Sequence, residues 1–204
     1  VLVAAAATSA HGTGARFSVD RIDVGQGLAV VVRTAQHALL FDTGPAFSDG
    51  FDAGRATVVP YLLHDGLRRL DRLVVSHADL DHRGGAPAVR EMLRIDDEIG
   101  AMVDKPCVEG DRWDWDGVSF LILNGPAPGR SDNGGGCVLK IEVEGFSALL
   151  PADIERTAEA RLVSDYGARL HVDLLLAPHH GSRTFSSPAF IAEVPPSIVV
   201  HSAG

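Results

Sequence analysis

A mixed α/β (α+β) domain, with two β-sheets packed together and helices outside, is the fold class this 204-residue sequence predicts. Three observations predict it. Short apolar runs separated by turn residues crowd the beginning and the middle of the chain, the pattern of strands. In each half, helix and strand patterns then alternate. Glycine supplies 22 residues, so tight turns are frequent. A chain 46% hydrophobic and 22% charged has ordinary globular composition, which excludes a disordered tail or a fibre. The length suits one domain or at most two.

Residues 17–23, 28–34 and 38–41 read as strands split by turn signals at 25–27 and 36–37, and the first two pair as a hairpin. Residues 58–63 have helical apolar spacing, stopped by Gly66. Residues 70–76 form a strand with an apolar centre at 73–75, and 87–93 a helix with proline in its first turn, where the missing N–H costs little. Strands follow at 100–103, 111–115, 118–123, 138–143 and 146–150. Asp116-Gly117 and Glu144-Gly145 join two pairs of them as hairpins. A helix over 154–166 puts Ile154, Ala158, Leu162, Val163 and Tyr166 on one face. A buried strand at 173–177, a helix at 188–194 and a strand-like run at 197–202 complete the order.

A formal net charge of −9 argues against a basic protein that coats DNA. It leaves open an enzyme that takes a polyanion into a metal-bearing cleft, because bound cations reverse the local field. No stretch reaches the ~18–20 apolar residues of a membrane span. Residues 1–10, VLVAAAATSA, lack the basic region that opens a signal peptide. Residues 1–15 are therefore read as the end of a membrane span and a linker, with a first strand or helix as the alternative for 1–10. The domain that follows, 16–204, is expected to continue beyond Gly204. Cys107 and Cys137 leave two readings open. One is a disulfide in an oxidising compartment; the other is two thiols, one buried as a small hydrophobe.

The chemistry concentrates after the 70–76 strand, in His77-Ala78-Asp79-Leu80-Asp81-His82-Arg83-Gly84-Gly85. Four potential metal ligands, His77, Asp79, Asp81 and His82, fall within six residues between a buried strand and a helix, a position where active sites collect. Spacing by two sends His77 and Asp79 to one side of an extended segment. Asp81 and His82 turn the other way as the helix begins. Asp153 ends an apolar strand, and its two oxygens suit bridging of two metals. His179 and His180 end another, one as a ligand and the other as a proton donor or substrate contact.

HADLDHRGG resembles the HxHxDH signature of the metallo-β-lactamase superfamily, with Asp79 in place of the second histidine. Leu-Phe-Asp-Thr-Gly at 40–44, Asp153 and His-His-Gly-Ser at 179–182 are similar to its other elements. With Asp-Val-Gly-Gln-Gly at 23–27, the ordered set resembles the C-terminal domain of the ComEC competence proteins, membrane channels for DNA uptake. The resemblance covers roughly 17–204. It implies a metallo-β-lactamase-like αββα sandwich with its metal site at one edge. It also implies a nuclease acting on the DNA strand that is not transported, an inner-membrane protein with this domain on the periplasmic or outer face, and the rest of the ComEC channel as partner. Family members run on past Ser-Ala-Gly into an Asn and Gly-His-Pro element absent here. Where the superfamily has a third histidine ligand, around 131–137, this chain offers Asn133, and Gly136 stands where ComEC domains have serine. The first metal site then comprises His77, Asp79 and Asp153 with Asn133 as helper. The second, richer site comprises Asp81, His82, Asp153 and one of His179 and His180.

A carboxylate-rich, thiolate-free ligand set favours one or two Mn²⁺ ions, with Zn²⁺ or Mg²⁺ as alternatives. Metal-lowered water pKa makes hydroxide available for attack on a phosphodiester. Arg83, Arg183 and Lys140 are candidate contacts to the backbone of a single DNA strand, read without sequence preference. A hydrolase of a small ester or phosphodiester and a metal-poor structural module of the channel are the rival readings.

Overall fold

A computed structural model describes residues 4–7, 17–47, 50–181 and 186–202. In chain order the strands and helices are β1 (Ala4–Ala7), β2 (Phe17–Arg21), β3 (Val30–Arg33), β4 (Ala38–Phe41), α1 (Val59–His64), β5 (Arg69–Leu70), β6 (Arg72–Val75) and α2 (Leu80–Arg83). Then come α3 (Ala86–Met92), β7 (Arg94–Ile95), β8 (Glu98–Gly100), β9 (Arg112–Trp115), β10 (Val118–Asn124), β11 (Val138–Val143), β12 (Phe146–Leu150), α4 (Arg156–Tyr166), β13 (Leu174–Leu176), α5 (Pro188–Glu193) and β14 (Ile198–Val200).

Two six-stranded sheets, in the orders β1-β2-β3-β4-β6-β8 and β14-β13-β12-β11-β10-β9, form the middle layers. Alternation along the strands decides which side chain goes where. Val30 and Val32 of β3 join Phe41, Phe120, Leu139 and Ile141 in the core between the sheets. Val31 turns to the outer face, where Val59, Leu62 and Val89 cover it from α1 and α3. On the other outside, Leu149 and Leu175 meet Ala158 and Leu162 of α4 and Phe190 of α5. The result is the αββα sandwich.

Both sheets begin with antiparallel hairpins and end with parallel strands. β4 runs parallel to β6, and β12, β13 and β14 run parallel to one another. Parallel strands bring their carboxyl ends to the same edge, where ligands collect in open α/β sheets. Asp42, Ser76 and His77 leave the first sheet there. Asp153, His179, His180 and Ser202 leave the second.

Ala4–Ala7, in the segment read as the end of a membrane span with a first strand or helix as the alternative, is a strand antiparallel to Phe17–Asp20. Among the described residues no helix is long and apolar enough to cross a membrane. The strand expected at 100–103 is β8, which ends at Gly100. Gly100 holds a φ of +125° against the backbone of Val75, so the chain leaves the sheet there. Helix α4 starts at Arg156, because Glu155 is extended at the N-cap. Ile154 nevertheless reaches the same core cluster as Ala158 and Leu162. Cys107 and Cys137, with Cα atoms 5.9 Å apart, form a disulfide inside the inter-sheet core.

Candidate metal centre

Four ligand atoms from Asp81, His82, Asp153 and His180 lie within 4.8 Å of one another. Helix α2 delivers the first two. It is only one turn long and is fixed by its carbonyls: that of His82 accepts from Thr43 N (2.7 Å) and Thr43 Oγ1 (2.9 Å), and that of Asp81 from Leu28 N (3.1 Å). Asp153 follows β12 through Ala152, whose φ is +51°. His179 and His180 follow β13 with φ of +48° and +56°, and Asp42 follows β4 with +59°. Left-handed backbone in non-glycine residues is costly and collects at functional sites. Four of the seven such residues among those described stand here.

Asp42 organises the imidazoles. Its Oδ1 accepts from Ser76 N and its Oδ2 from Ser76 Oγ and His82 Nδ1, each at 2.7 Å, and both Asp42 and His82 are fully buried. With its proton directed to Asp42, Ser76 Oγ accepts from His77 Nδ1 at 2.9 Å. Both Nδ1 atoms are thereby donors, and both Nε2 atoms face inward. His82 Nε2 lies 3.3 Å from Asp153 Oδ1 and His77 Nε2 3.4 Å from Asp79 Oδ2, but both nitrogens are buried without hydrogen-bond geometry to a partner. His180 Nδ1 meets Ser202 Oγ at 2.7 Å. Its Nε2 faces Asp81 Oδ2 at 3.1 Å and Asp153 Oδ2 at 3.5 Å.

The charges are mutually dependent. The hydrogen bond from His180 holds Asp81 down to about 2 against its burial. Burial works against a charged His82, but Asp42 and Asp153 outweigh it and push the imidazole up to about 10. Burial likewise opposes the Asp153 carboxylate, and the neighbouring His82, 3.3 Å away, keeps it below the usual range. His77 is lowered by burial and by the neighbouring His82. Two carboxylates and two imidazoles, with a buried Nε2 lacking a hydrogen bond among them, fit a divalent cation with oxygen and nitrogen preferences.

The residues singled out in the sequence separate into groups. Asp81, His82, Asp153 and His180 are together. His179 stands beside them, Nδ1 to Asp153 Oδ2 being 3.4 Å. His77 packs on His82 with ring centroids 4.1 Å apart. Asp79 reaches His77 with a side chain 54% exposed. Asn133, in a short 3₁₀ turn, is not brought into the four-residue cluster. Its neighbour Asp132 reaches the ligand loop instead, accepting from Ala78 N at 2.9 Å. Arg83 Nε donates to Ala78 O, so this cation braces the loop. Lys140 is a correction: it is buried on the α4 side of β11, its ammonium held by Arg169 O and Glu142. Arg183 lies outside the described residues. Asp42, Ser76 and Ser202, which the motif spacing gives no role, contact the site imidazoles. Asp42 and Asp153 share one signal, an aspartate directly after an apolar strand.

The metallo-beta-lactamase superfamily profile matches residues 22–198. The chain is 41% identical over 192 residues to Competence protein ComA of Neisseria gonorrhoeae, covering 89% of this chain and 26% of that protein. It is 33% identical over 196 residues to Recombination protein 2 of Haemophilus influenzae, covering 92% of this chain and 24% of that protein. It thus spans about a quarter of the length of these curated relatives. The crystal structure of metallo-beta-lactamase SMB-1 with 2-mercaptoethanesulfonate superposes with a TM-score of 0.59 at 14% identity, over 79% of this chain and 76% of that one. With this fold, the ligand cluster at its sheet edge and the matched span, the chain belongs to the metallo-β-lactamase superfamily, as a domain homologous to part of the competence proteins.

Proposed function

We infer that this domain is a metal-dependent nuclease of a ComEC-type DNA-uptake channel, hydrolysing phosphodiesters of the strand that is not transported. One observation carries the reading: the Asp81–His82–Asp153–His180 cluster, in a chain whose relatives are named for competence and recombination. A bound divalent ion supplies Lewis acidity and a water of lowered pKa. Asp81, His82, Asp153 and His180 would hold it, with Asp153, His77 and Asp79 as the candidate ligands of a second ion. Asp42 and Ser202 orient the His82 and His180 rings. His179, beside Asp153, is the imidazole left to give the leaving oxygen its proton. The oxygen-rich set makes Mn²⁺ the preferred ion, ahead of Mg²⁺ and Zn²⁺.

The partners are a single DNA strand, bound without sequence preference, and the membrane portion of the channel. The Cys107–Cys137 disulfide supports an outer or periplasmic face, since such bonds persist in oxidising compartments. The test is degradation of single-stranded DNA by the purified protein in Mn²⁺, with and without chelator. Chelator-sensitive nucleotide release is expected. Hydrolysis of a chromogenic phosphodiester with no action on DNA would move the assignment to a small-substrate hydrolase.

A further inference from the structure

His77 has a second face. It helps line a recess of about 390 Å³ formed by loops of the two sheets, while its ring packs on His82 of the cluster with centroids 4.1 Å apart. Met102 enters this recess from the turn after β8 in the first sheet, and Pro126 and Ala127 from the loop after β10 in the second. Ser131 and Asp132 supply polar groups. We propose that the recess is a nucleoside subsite, holding the base and sugar of one nucleotide whose phosphate lies at the Asp81–His82–Asp153–His180 cluster. The proposal rests on the nuclease reading and specifies which part of the substrate goes where.

The volume is at the low end of the ~300–1,000 Å³ range of small-ligand pockets, right for one nucleoside and too small for stacked bases or a duplex. The lining distinguishes base from phosphate. Met102 is 74% exposed and held at a φ of +60°, so its thioether is presented to solvent rather than to the core. A polarizable side chain of this kind packs well on a flat aromatic ring. The Arg130 guanidinium is held by Asn124 Oδ1, Gly125 O and Glu109. Asp132 repels phosphate and attracts N–H and O–H donors, the groups a base and sugar carry. Its Oδ2 also ties the recess to the ligand loop through Ala78 N. A recess for one nucleoside requires a base out of its stack, which selects single strands over duplex.

The experiment compares equilibrium binding of deoxyadenosine 5′-monophosphate and 2-deoxyribose 5-phosphate to the Mn²⁺-loaded protein by calorimetry. The nucleotide is expected to bind at least about tenfold more tightly than the base-free phosphate. Ala127→Trp, which fills the recess, is expected to close that gap. Met102→Gly, which removes a wall at a φ that suits glycine, is expected to narrow it and serves should the larger residue not be accepted. Equal binding of the two ligands by the unmodified protein, or a gap that survives both substitutions, overturns the subsite. The gap is read without turnover, so failure of the nuclease reading is separable. A gap without DNA hydrolysis removes the nuclease alone, and hydrolysis without a gap removes the subsite alone.

Discussion

His82 Nδ1 lies 2.7 Å from Asp42 Oδ2, and both side chains are completely buried although they are forty residues apart. This contact fixes which nitrogen of His82 is directed at the cluster, because Nδ1 donates its proton to a hydrogen bond with Asp42 Oδ2. Carboxylates in this position orient the imidazole and raise its basicity. Asp42→Asn is therefore expected to weaken metal affinity by roughly 10–100-fold with little change in secondary structure. Metal titration monitored by calorimetry, beside far-UV circular dichroism, checks it. Unchanged affinity would assign Asp42 a purely structural role.

The same pair sets a pH dependence. The His82 pKa rises from 6.5 to about 10 in the fold. In the metal-free protein its contribution to stability is full below about 6.5 and is lost as pH rises through about 10. A metal taking Nε2 displaces that proton, so binding near pH ~7 releases protons and apparent affinity rises with pH. Calorimetry in buffers of different ionisation enthalpy reads the number released. About one proton from His82 is expected, and none is the contrary result.

The disulfide joins residues 30 apart inside the core. By the chain-entropy estimate it contributes about 3–4 kcal/mol. Cys107→Ser with Cys137→Ser is expected to lower the denaturation midpoint accordingly. Cys137 N also donates to Ser76 O at 2.9 Å, so the ligand loop is expected to loosen and metal affinity to fall with stability. Hydrogen exchange at 76–78 and a metal titration follow the two effects. A stability loss with unaltered loop protection would limit the bond to the core.

Lys140 provides a contrasting case. Replacing it by Met removes the ammonium that Arg169 O and Glu142 engage. A lower melting temperature with DNA affinity retained is the expected pattern. Loss of DNA affinity in a fully stable variant would return Lys140 to the substrate.

Much of the fold is legible in the sequence because its signals are local. The strands at 38–41, 138–143 and 146–150 stand where alternation places them, and the turns at Asp116-Gly117 and Glu144-Gly145 join hairpins as their chemistry requires. Asp81 and His82, the two loop residues in the cluster, stand out in the sequence because four potential donors crowd six residues. What was hidden depends on distant contacts. Asp42 acquires its role only when β4 pairs with β6, and the choice between His179 and His180 for the four-residue cluster is made by left-handed backbone that two adjacent histidines do not announce. Lys140 looked like a free cation because sequence does not show α4 and the turn after it closing over β11.

The most direct test of the account is metal stoichiometry in the purified protein and in Asp81→Ala, His82→Ala and Asp153→Ala, each assayed on single-stranded DNA in Mn²⁺. At least one tightly bound divalent ion per chain is expected. Each substitution is expected to remove that ion and lower DNA hydrolysis by about a hundredfold or more, with the Asp153 variant also less stable because the residue is buried behind β12. A folded variant at Asp81 or His82 that keeps both its metal and full activity would contradict it.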